Sequence, residues 1–274
     1  MTSISFERKI TNSLFDISIE AGEAIMKVYI TDFETETKKD NSPLTKADRL
    51  SNEIICSELE KITPEIPILS EESSEIPFNI RSKWKEYWLI DPLDGTKEFI
   101  KKNGEFTTNI ALIKRNRPVF GMIHAPAINQ TFWGGENMNS FYLRGSNLSN
   151  KREINVSESE SSQLKVTSSR SHSSNLEKEF FKRIGHHKVS HVGSSLKFCK
   201  VAMGKIDMYP RFGPTSEWDT AAGDAIVTFA GGCIITSSGE QLRYNQKESL
   251  INPSFLVSKS KKLSKKYISL MNNG

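Results

Sequence analysis

The chain has 274 residues and a mass of 30.9 kDa, enough for one large domain or two ordinary ones. Hydrophobic residues are 36% and charged residues 26%, with 15 Phe, 6 Tyr and 4 Trp, so apolar area can offset the entropy of ordering and a disordered chain is excluded. The net charge of +4 is concentrated in the C-terminal KSKKLSKK: with Lys259, Lys261, Lys262, Lys265 and Lys266 set aside, the other basic residues fall one short of the 33 acidic ones, which argues against a general nucleic-acid binder.

In chain order, residues 4–28 place Ile10, Leu14, Ile17, Ala21, Ala24, Ile25 and Val28 at the three-four spacing of an amphipathic helix. Thr45 can cap a second helix over 46–59, with Ile54, Ile55 and Leu59 on its buried side. The period then changes. Apolar runs at 66–69, 87–90, 109–113 and 119–125, separated by Gly, Pro and Asn, predict strands of one sheet with antiparallel neighbours. The polar, Ser-rich stretch 150–162 divides an α+β lobe, 1–155, from a second lobe, 156–274. There, strands at 164–169, 189–193, 206–210, 233–238 and 255–258 alternate with helices at 176–184, 195–203 and 218–230, an α/β pattern. Leu263, Tyr267, Leu270 and Met271 fall three to four apart between the tail lysines, which predicts the solvated face of a last helix; peripheral contact with a membrane surface, or with RNA, is the second reading of that tail. Cys56, Cys199 and Cys233 lack CxxC or metal-finger spacing, and Cys199 and Cys233 read as small core residues. No apolar run approaches the roughly 18 residues needed to cross a bilayer, and no secretory-signal order opens the chain, so a soluble protein of the reducing cytoplasm is expected.

The chemistry concentrates in WLIDPLDGTKEF, 88–99, where an apolar strand runs into Asp91 and Asp94. Pro92 fixes φ and Gly95 permits a tight turn, so the two carboxylates can point to one place with the Leu93 carbonyl between them. Oxygen-only donors suit a hard cation such as Mg²⁺ better than zinc, although Asp-Pro-x-Asp-Gly is also a plain turn sequence. Glu71 and Glu72 follow another strand end, and two strands ending side by side would bring them to Asp91; residue type alone does not choose between them. Asp219 opens the 218–230 helix and Asp48 lies in the first turn of the second helix, where each also reads as a capping or dipole-complementing acid.

LTKAD, SEES, WLIDPLDGTKEF and WDTAAG, in that order, resemble the inositol monophosphatase superfamily of Mg²⁺-dependent, lithium-sensitive phosphatases. GTKEFIKKNGEFT, SRSH, GSSLKFC and YPRFG are similar to its 3'(2'),5'-bisphosphate nucleotidase branch, and the resemblance covers about residues 20–258. It implies a layered α-β-α-β-α sandwich. It also implies that Glu71, Asp91 and the Leu93 carbonyl hold one metal, that Asp91 bridges to a second held with Asp94 and Asp219, and that two or three Mg²⁺ bind per site. Thr96, with Asp48, would orient and deprotonate the attacking water. Glu71, Leu93, Asp94, Gly95, Thr96 and Asp219 would meet the scissile phosphate. Ser169, His172, Gly193, Ser194, Lys197 and Arg211 would surround adenosine and its second phosphate, with backbone donors from Gly193 to Ser195. Without cations such converging acids would repel one another and shift toward protonation. The implied reaction is hydrolysis of adenosine 3',5'-bisphosphate to AMP and phosphate, with 3'-phosphoadenylyl sulfate as a second substrate, clearing a by-product of sulfate assimilation. KEF after GTK and the SRSH segment argue against an inositol or fructose phosphatase. The complete set Glu71, Asp91, Asp94, Thr96 and Asp219 argues against a nucleotide- or RNA-binding protein without turnover.

Overall fold

The computed structural model describes residues 3–37, 43–73, 75–157, 159, 163–171 and 174–271. Helix α1 (Ser3–Tyr29) is followed by a two-stranded ribbon, β1 (Thr35–Thr37) and β2 (Pro43–Thr45), and by α2 (Lys46–Ile62). Then come β3 (Ile68–Ser70), the single turn α3 (Phe78–Arg81), β4 (Glu86–Asp94), α4 (Thr96–Ile100), β5 (Thr107–Lys114), β6 (Arg117–Ala125), β7 (Gln130–Gly135), β8 (Met138–Arg144) and β9 (Arg152–Ile154). Strands β3 to β9 form a seven-stranded sheet in sequence order. The second half runs β10 (Leu164–Ser169), α5 (Asn175–Arg183), β11 (His187–Val192), α6 (Leu196–Ala202), β12 (Met208–Arg211), α7 (Glu217–Phe229), β13 (Cys233–Thr236), β14 (Phe255–Ser258) and α8 (Lys261–Tyr267). Its five-stranded sheet has the order β11-β10-β12-β14-β13, with β14 antiparallel to both neighbours.

Strand alternation builds the layers. On β4, Trp88 and Ile90 face α1 and α2, where they pack with Leu14, Phe15, Ile55 and Leu59. Tyr87 and Leu89 face the other way, into a core shared with Phe198 of α6 and Ala221, Ala222 and Ile226 of α7. In the second sheet Tyr209 and Val257 join that same core, while Met208 and Leu256 pack with Phe180 of α5 and Tyr267 of α8. The result is the expected α-β-α-β-α order. Sheet membership follows the two halves of the chain, but the central core draws on both. Helix α7 fits between the sheets because its faces are small: a Cβ at Gly121 of β6 would stand 2.3 Å from the Ala222 carbonyl oxygen.

Three features depart from the sequence expectation. Strand β3 pairs with β4 in parallel, not antiparallel, because the fifteen-residue connection 71–85 with α3 returns the chain to the same end of the sheet. Strands β7 and β8 were not anticipated, since Gly134 and Gly135 interrupt the alternation that sends Phe132 and Trp133 to opposite faces. Lys259 does not belong to the solvated tail: its Nζ lies 2.8 Å from Asp207 Oδ1, with both side chains at most 10% exposed. The other four tail lysines flank buried Ser264 and Tyr267 on α8.

The approach of β6 to α7 is tight enough to test. Gly121→Ala should destabilise the protein by about 1–3 kcal/mol in urea unfolding through overpacking against backbone, whereas Gly213→Ala, whose new methyl would meet only the Arg211 guanidinium at 4.0 Å, should stay within about 0.5 kcal/mol.

Candidate active site

The parallel pairing of β3 with β4 places the first two acids. Ser70 sits opposite Ile90, and the Glu71 N–H donates to the Ile90 carbonyl at 3.1 Å, so Glu71 leaves its strand beside Asp91. An antiparallel partner would have carried Glu71 to the far end of the sheet. Strand β4 does not stop at a turn, as expected, but continues to Asp94 through a register shift against β5. Within that bulge the Asp91 Oδ1 accepts the Leu93 N–H at 3.0 Å, and Ser51 of α2 donates its hydroxyl to the Pro92 carbonyl at 2.7 Å. Two residues that ought to alternate across the sheet are thereby turned to one side. Gly95 follows at φ 91°, a conformation that costs a side chain-bearing residue strain.

Asp48 and Asp219 arrive on helix N-termini, each as the third helical residue of a capping box. Asp48 Oδ2 accepts the Thr45 N–H at 2.7 Å and its hydroxyl at 2.6 Å, which leaves Oδ1 to accept the Thr96 hydroxyl at 3.3 Å. The same Thr96 hydroxyl lies 3.3 Å from the Leu93 carbonyl. Asp219 Oδ2 accepts the Ser216 N–H at 2.8 Å. Capping uses one oxygen of each carboxylate, so capping and the expected site role are compatible in both residues.

Carboxylate oxygens of Glu71, Asp91 and Asp219 lie within 4.8 Å of one another. Asp94 lines the same cavity outside that trio, with Oδ2 accepting the Ser195 N–H at 2.5 Å and the Asn109 amide at 3.5 Å. Burial, then the charges of Asp94 and Glu71, push the Asp219 carboxyl up to about 8. Burial raises Asp94 as well, opposed by Lys197. An all-oxygen set that includes a carbonyl and holds its acids away from ionisation fits a hard divalent cation, whose charge would relieve that repulsion.

One cavity of about 230 Å³ gathers Glu71, Asp91, Leu93, Asp94, Gly95, Thr96 and Asp219 with Ser169, Ser194, Lys197 and Arg211 from the second half. Lys197 is 5% exposed and so is no solvated helix face; its Nζ donates to the Ser194 carbonyl at 2.5 Å and stands 5.3 Å from the Tyr209 ring centre. Burial lowers it to about 8, against the pull of Asp94. Arg211 is braced by the Thr215 hydroxyl at 2.5 Å and the Pro214 carbonyl at 2.7 Å. Two expected backbone donors are already engaged within the protein. Gly193 N–H donates to Glu105 Oε2 at 2.7 Å, and Ser195 N–H is held by Asp94. His172 lies outside the described residues.

Sequence reasoning missed Thr107, Asn109 and Glu98. The first two are buried on β5 and lock Ser195: the Thr107 and Ser195 hydroxyls are 2.7 Å apart, and Ser195 donates to Asn109 Oδ1 at 2.7 Å. Their signal was available as TTN, three polar residues opening an otherwise apolar strand. Glu98, 3% exposed, lines the cavity and accepts the Ser171 hydroxyl. Arg170 clasps Glu105 through two nitrogens at 2.7 and 2.9 Å, joining the halves at this edge of the site.

Comparison with known proteins agrees with this geometry. The sequence model of the Inositol monophosphatase family matches residues 7–273. The 3'(2'),5'-bisphosphate nucleotidase CysQ of Salmonella typhimurium strain LT2 is 43% identical over 239 residues, 86% of this chain and 94% of that protein. The protein of the same name from Buchnera aphidicola is 42% identical over 258 residues, 92% of this chain and 94% of its own length. The crystal structure of CysQ from Bacteroides thetaiotaomicron, described as a bacterial member of the inositol monophosphatase family, superposes with a TM-score of 0.80 at 37% identity, over 91% of this chain and 97% of that one. A match along nearly the whole chain, on a fold that brings the acidic motifs into one cavity, leaves a single assignment: this chain belongs to the inositol monophosphatase family.

Proposed function

We propose that the chain is a Mg²⁺-dependent 3'(2'),5'-bisphosphate nucleotidase that hydrolyses adenosine 3',5'-bisphosphate to AMP and phosphate, and cleaves the same 3'-ester of 3'-phosphoadenylyl sulfate. The observation that carries this reading is one cavity lined by the Glu71, Asp91 and Asp219 carboxylates and by the cations of Lys197 and Arg211. Relatives more than 40% identical that bear this activity in their names support it.

Glu71, Asp91, the Leu93 carbonyl, Asp94 and Asp219 would hold the cations. Bound there, divalent ions supply positive charge that neutralises phosphoryl oxygens and acidifies water. Thr96 orients the water, because its hydroxyl proton is directed to Asp48 Oδ1 and its lone pair is left to accept a proton. Asp48 keeps that geometry because both Thr45 donors hold its other oxygen. The water oxygen bonds to phosphorus as the bond from phosphorus to the ribose 3'-oxygen breaks; the attacking water's proton passes through Thr96 to Asp48, and the ribose oxygen takes a proton from a second water to leave as a hydroxyl. Lys197 and Arg211 answer the phosphate that is not cleaved. Lys197 carries its charge at neutral pH and acts where water is largely excluded, so its attraction for an anion is weakly screened. Ser169 and Ser194 line the same wall and offer hydroxyls to the nucleoside.

The substrate assignment is tested by phosphate release from adenosine 3',5'-bisphosphate, inositol 1-phosphate and fructose 1,6-bisphosphate, each with Mg²⁺ and with Mg²⁺ plus Li⁺. Fast, Li⁺-sensitive release from the nucleotide alone is expected; activity on a sugar phosphate alone would remove the nucleotide assignment. Lys197→Met should raise KM for the bisphosphate by about tenfold or more, the weight of one charged hydrogen bond, and KM for adenosine 3'-monophosphate by much less.

The carboxylates also set a pH dependence. The Asp219 pKa is raised in the folded state, so its contribution to stability is complete below the ordinary carboxylate range and is lost as pH rises toward about 8. In chelator, Tm should therefore fall between about pH 4 and pH 8 and level off above that. Asp219→Asn should flatten that fall, and saturating Mg²⁺ should raise Tm most at the alkaline end. An unchanged slope in the variant would show that another group controls it.

A further inference from the structure

Asp219 comes from the second half of the chain and must register against Glu71 and Asp91 from the first. Beneath the helix that carries it lies a buried polar joint that no catalytic role explains. Arg81, 2% exposed, is the last residue of α3, within the connection between β3 and β4. Its guanidinium donates to the Asn245 side-chain oxygen, to the Lys247 carbonyl at 3.2 Å and to the Glu248 carbonyl, while its Nε donates to Ile76 O at 3.3 Å. Asn245 returns its amide to the Arg81 carbonyl at 2.6 Å. The Asn245 N–H then donates to Glu217 Oε2 at 2.7 Å. Glu217 is the first residue of α7, two before Asp219, and its own N–H donates to the Leu250 carbonyl at 2.8 Å. Asn252 completes the grip, donating through its amide to Ser216 O at 2.8 Å and Thr220 Oγ1 at 3.0 Å.

Burying an arginine and a glutamate is costly unless both are held by well-placed partners. Here the arginine meets carbonyl and amide oxygens, while Glu217 Oε1 and the Tyr87 hydroxyl are buried with no hydrogen-bond partner among the described residues. A helix end that needed only packing would be served as well by apolar residues. The arrangement is instead a rigid spacer. Every link is a directional hydrogen bond, and the chain of links runs from the segment between Glu71 and β4 to the turn that presents Asp219.

Resting on the cation-site reading above, we propose that Arg81, Asn245 and Glu217 are positioning residues that set the placement of Asp219 against Glu71 and Asp91, and so tune divalent-cation affinity without touching cation or substrate. Partners that orient ligand side chains in this way typically contribute 10- to 100-fold in metal affinity. The unit acts on the trio, and nucleotide recognition by Lys197 and Arg211 is outside its reach.

Mn²⁺ binding to the purified full chain, measured by titration calorimetry and by the electron paramagnetic resonance signal of free Mn²⁺, tests this directly. Asn245→Ala should weaken Mn²⁺ binding by about tenfold or more, with KM for adenosine 3',5'-bisphosphate at saturating Mg²⁺ changed by less than about twofold. Glu217→Gln, which keeps an acceptor for Asn245, should stay within about threefold of the parent. Arg81→Lys, which keeps the charge but loses the planar fork, should behave like Asn245→Ala and decides the matter if that variant does not fold. Wild-type Mn²⁺ affinity in the folded variants, whatever their Tm, would overturn the proposal. Absence of Mn²⁺ binding by the parent chain would overturn the cation site itself, a different failure with a different signature.

Discussion

Three carboxylates that repel one another, two from one sheet and one from a helix packed between two sheets, are held within 4.8 Å. Most of the structure around them exists to enforce that proximity. The parallel pairing of β3 and β4 delivers Glu71, the bulge at Pro92 and Leu93 turns Asp91 and Asp94 to one side, and the sandwiched position of α7 presents Asp219. Burial first, and then the charges of Asp94 and Glu71, raise the Asp219 carboxyl, and that cost is the physical argument for a divalent cation there. On the proposed function, fold stability and cation binding would be coupled at this point.

The second half contributes a different electrostatic task. Lys197 and Arg211 are braced by carbonyls and hydroxyls of their own loops, so each charge is fixed before any ligand arrives and little reorganisation remains to be done on binding. Asp94 joins the two tasks: its carboxylate is held by Ser195 of the second half and by Asn109 of the first, and Lys197 favours its ionised form. The Glu105 and Arg170 clasp closes the same seam from outside.

Much of this was legible in the residues. Helix periodicity placed α1, α2 and α7 within a few positions because their apolar stripes are long and uninterrupted. The acids could be found because carboxylates at strand ends and helix starts stand out against apolar surroundings. What sequence could not supply was relative orientation. Nothing local states that β3 runs parallel to β4, yet that fact alone puts Glu71 at Asp91. Glu71 and Glu72 were indistinguishable by type; the family resemblance pointed to Glu71, and the fold brings its carboxylate to Asp91 and Asp219. Lys259 read as one more tail lysine because its partner, Asp207, is remote in sequence and meets it through the β12 and β14 pairing. Arg81, Asn245 and Glu217 were invisible for the same reason: each is ordinary where it stands, and only the fold brings them together.

The cation site is tested most directly by anomalous diffraction from crystals grown with Mn²⁺ and adenosine 3',5'-bisphosphate. Anomalous peaks bounded by Glu71, Asp91 and Asp219 are expected, with one phosphate of the nucleotide against them and the other against Lys197 and Arg211. Manganese located elsewhere, or a nucleotide seated away from these residues, would contradict that assignment.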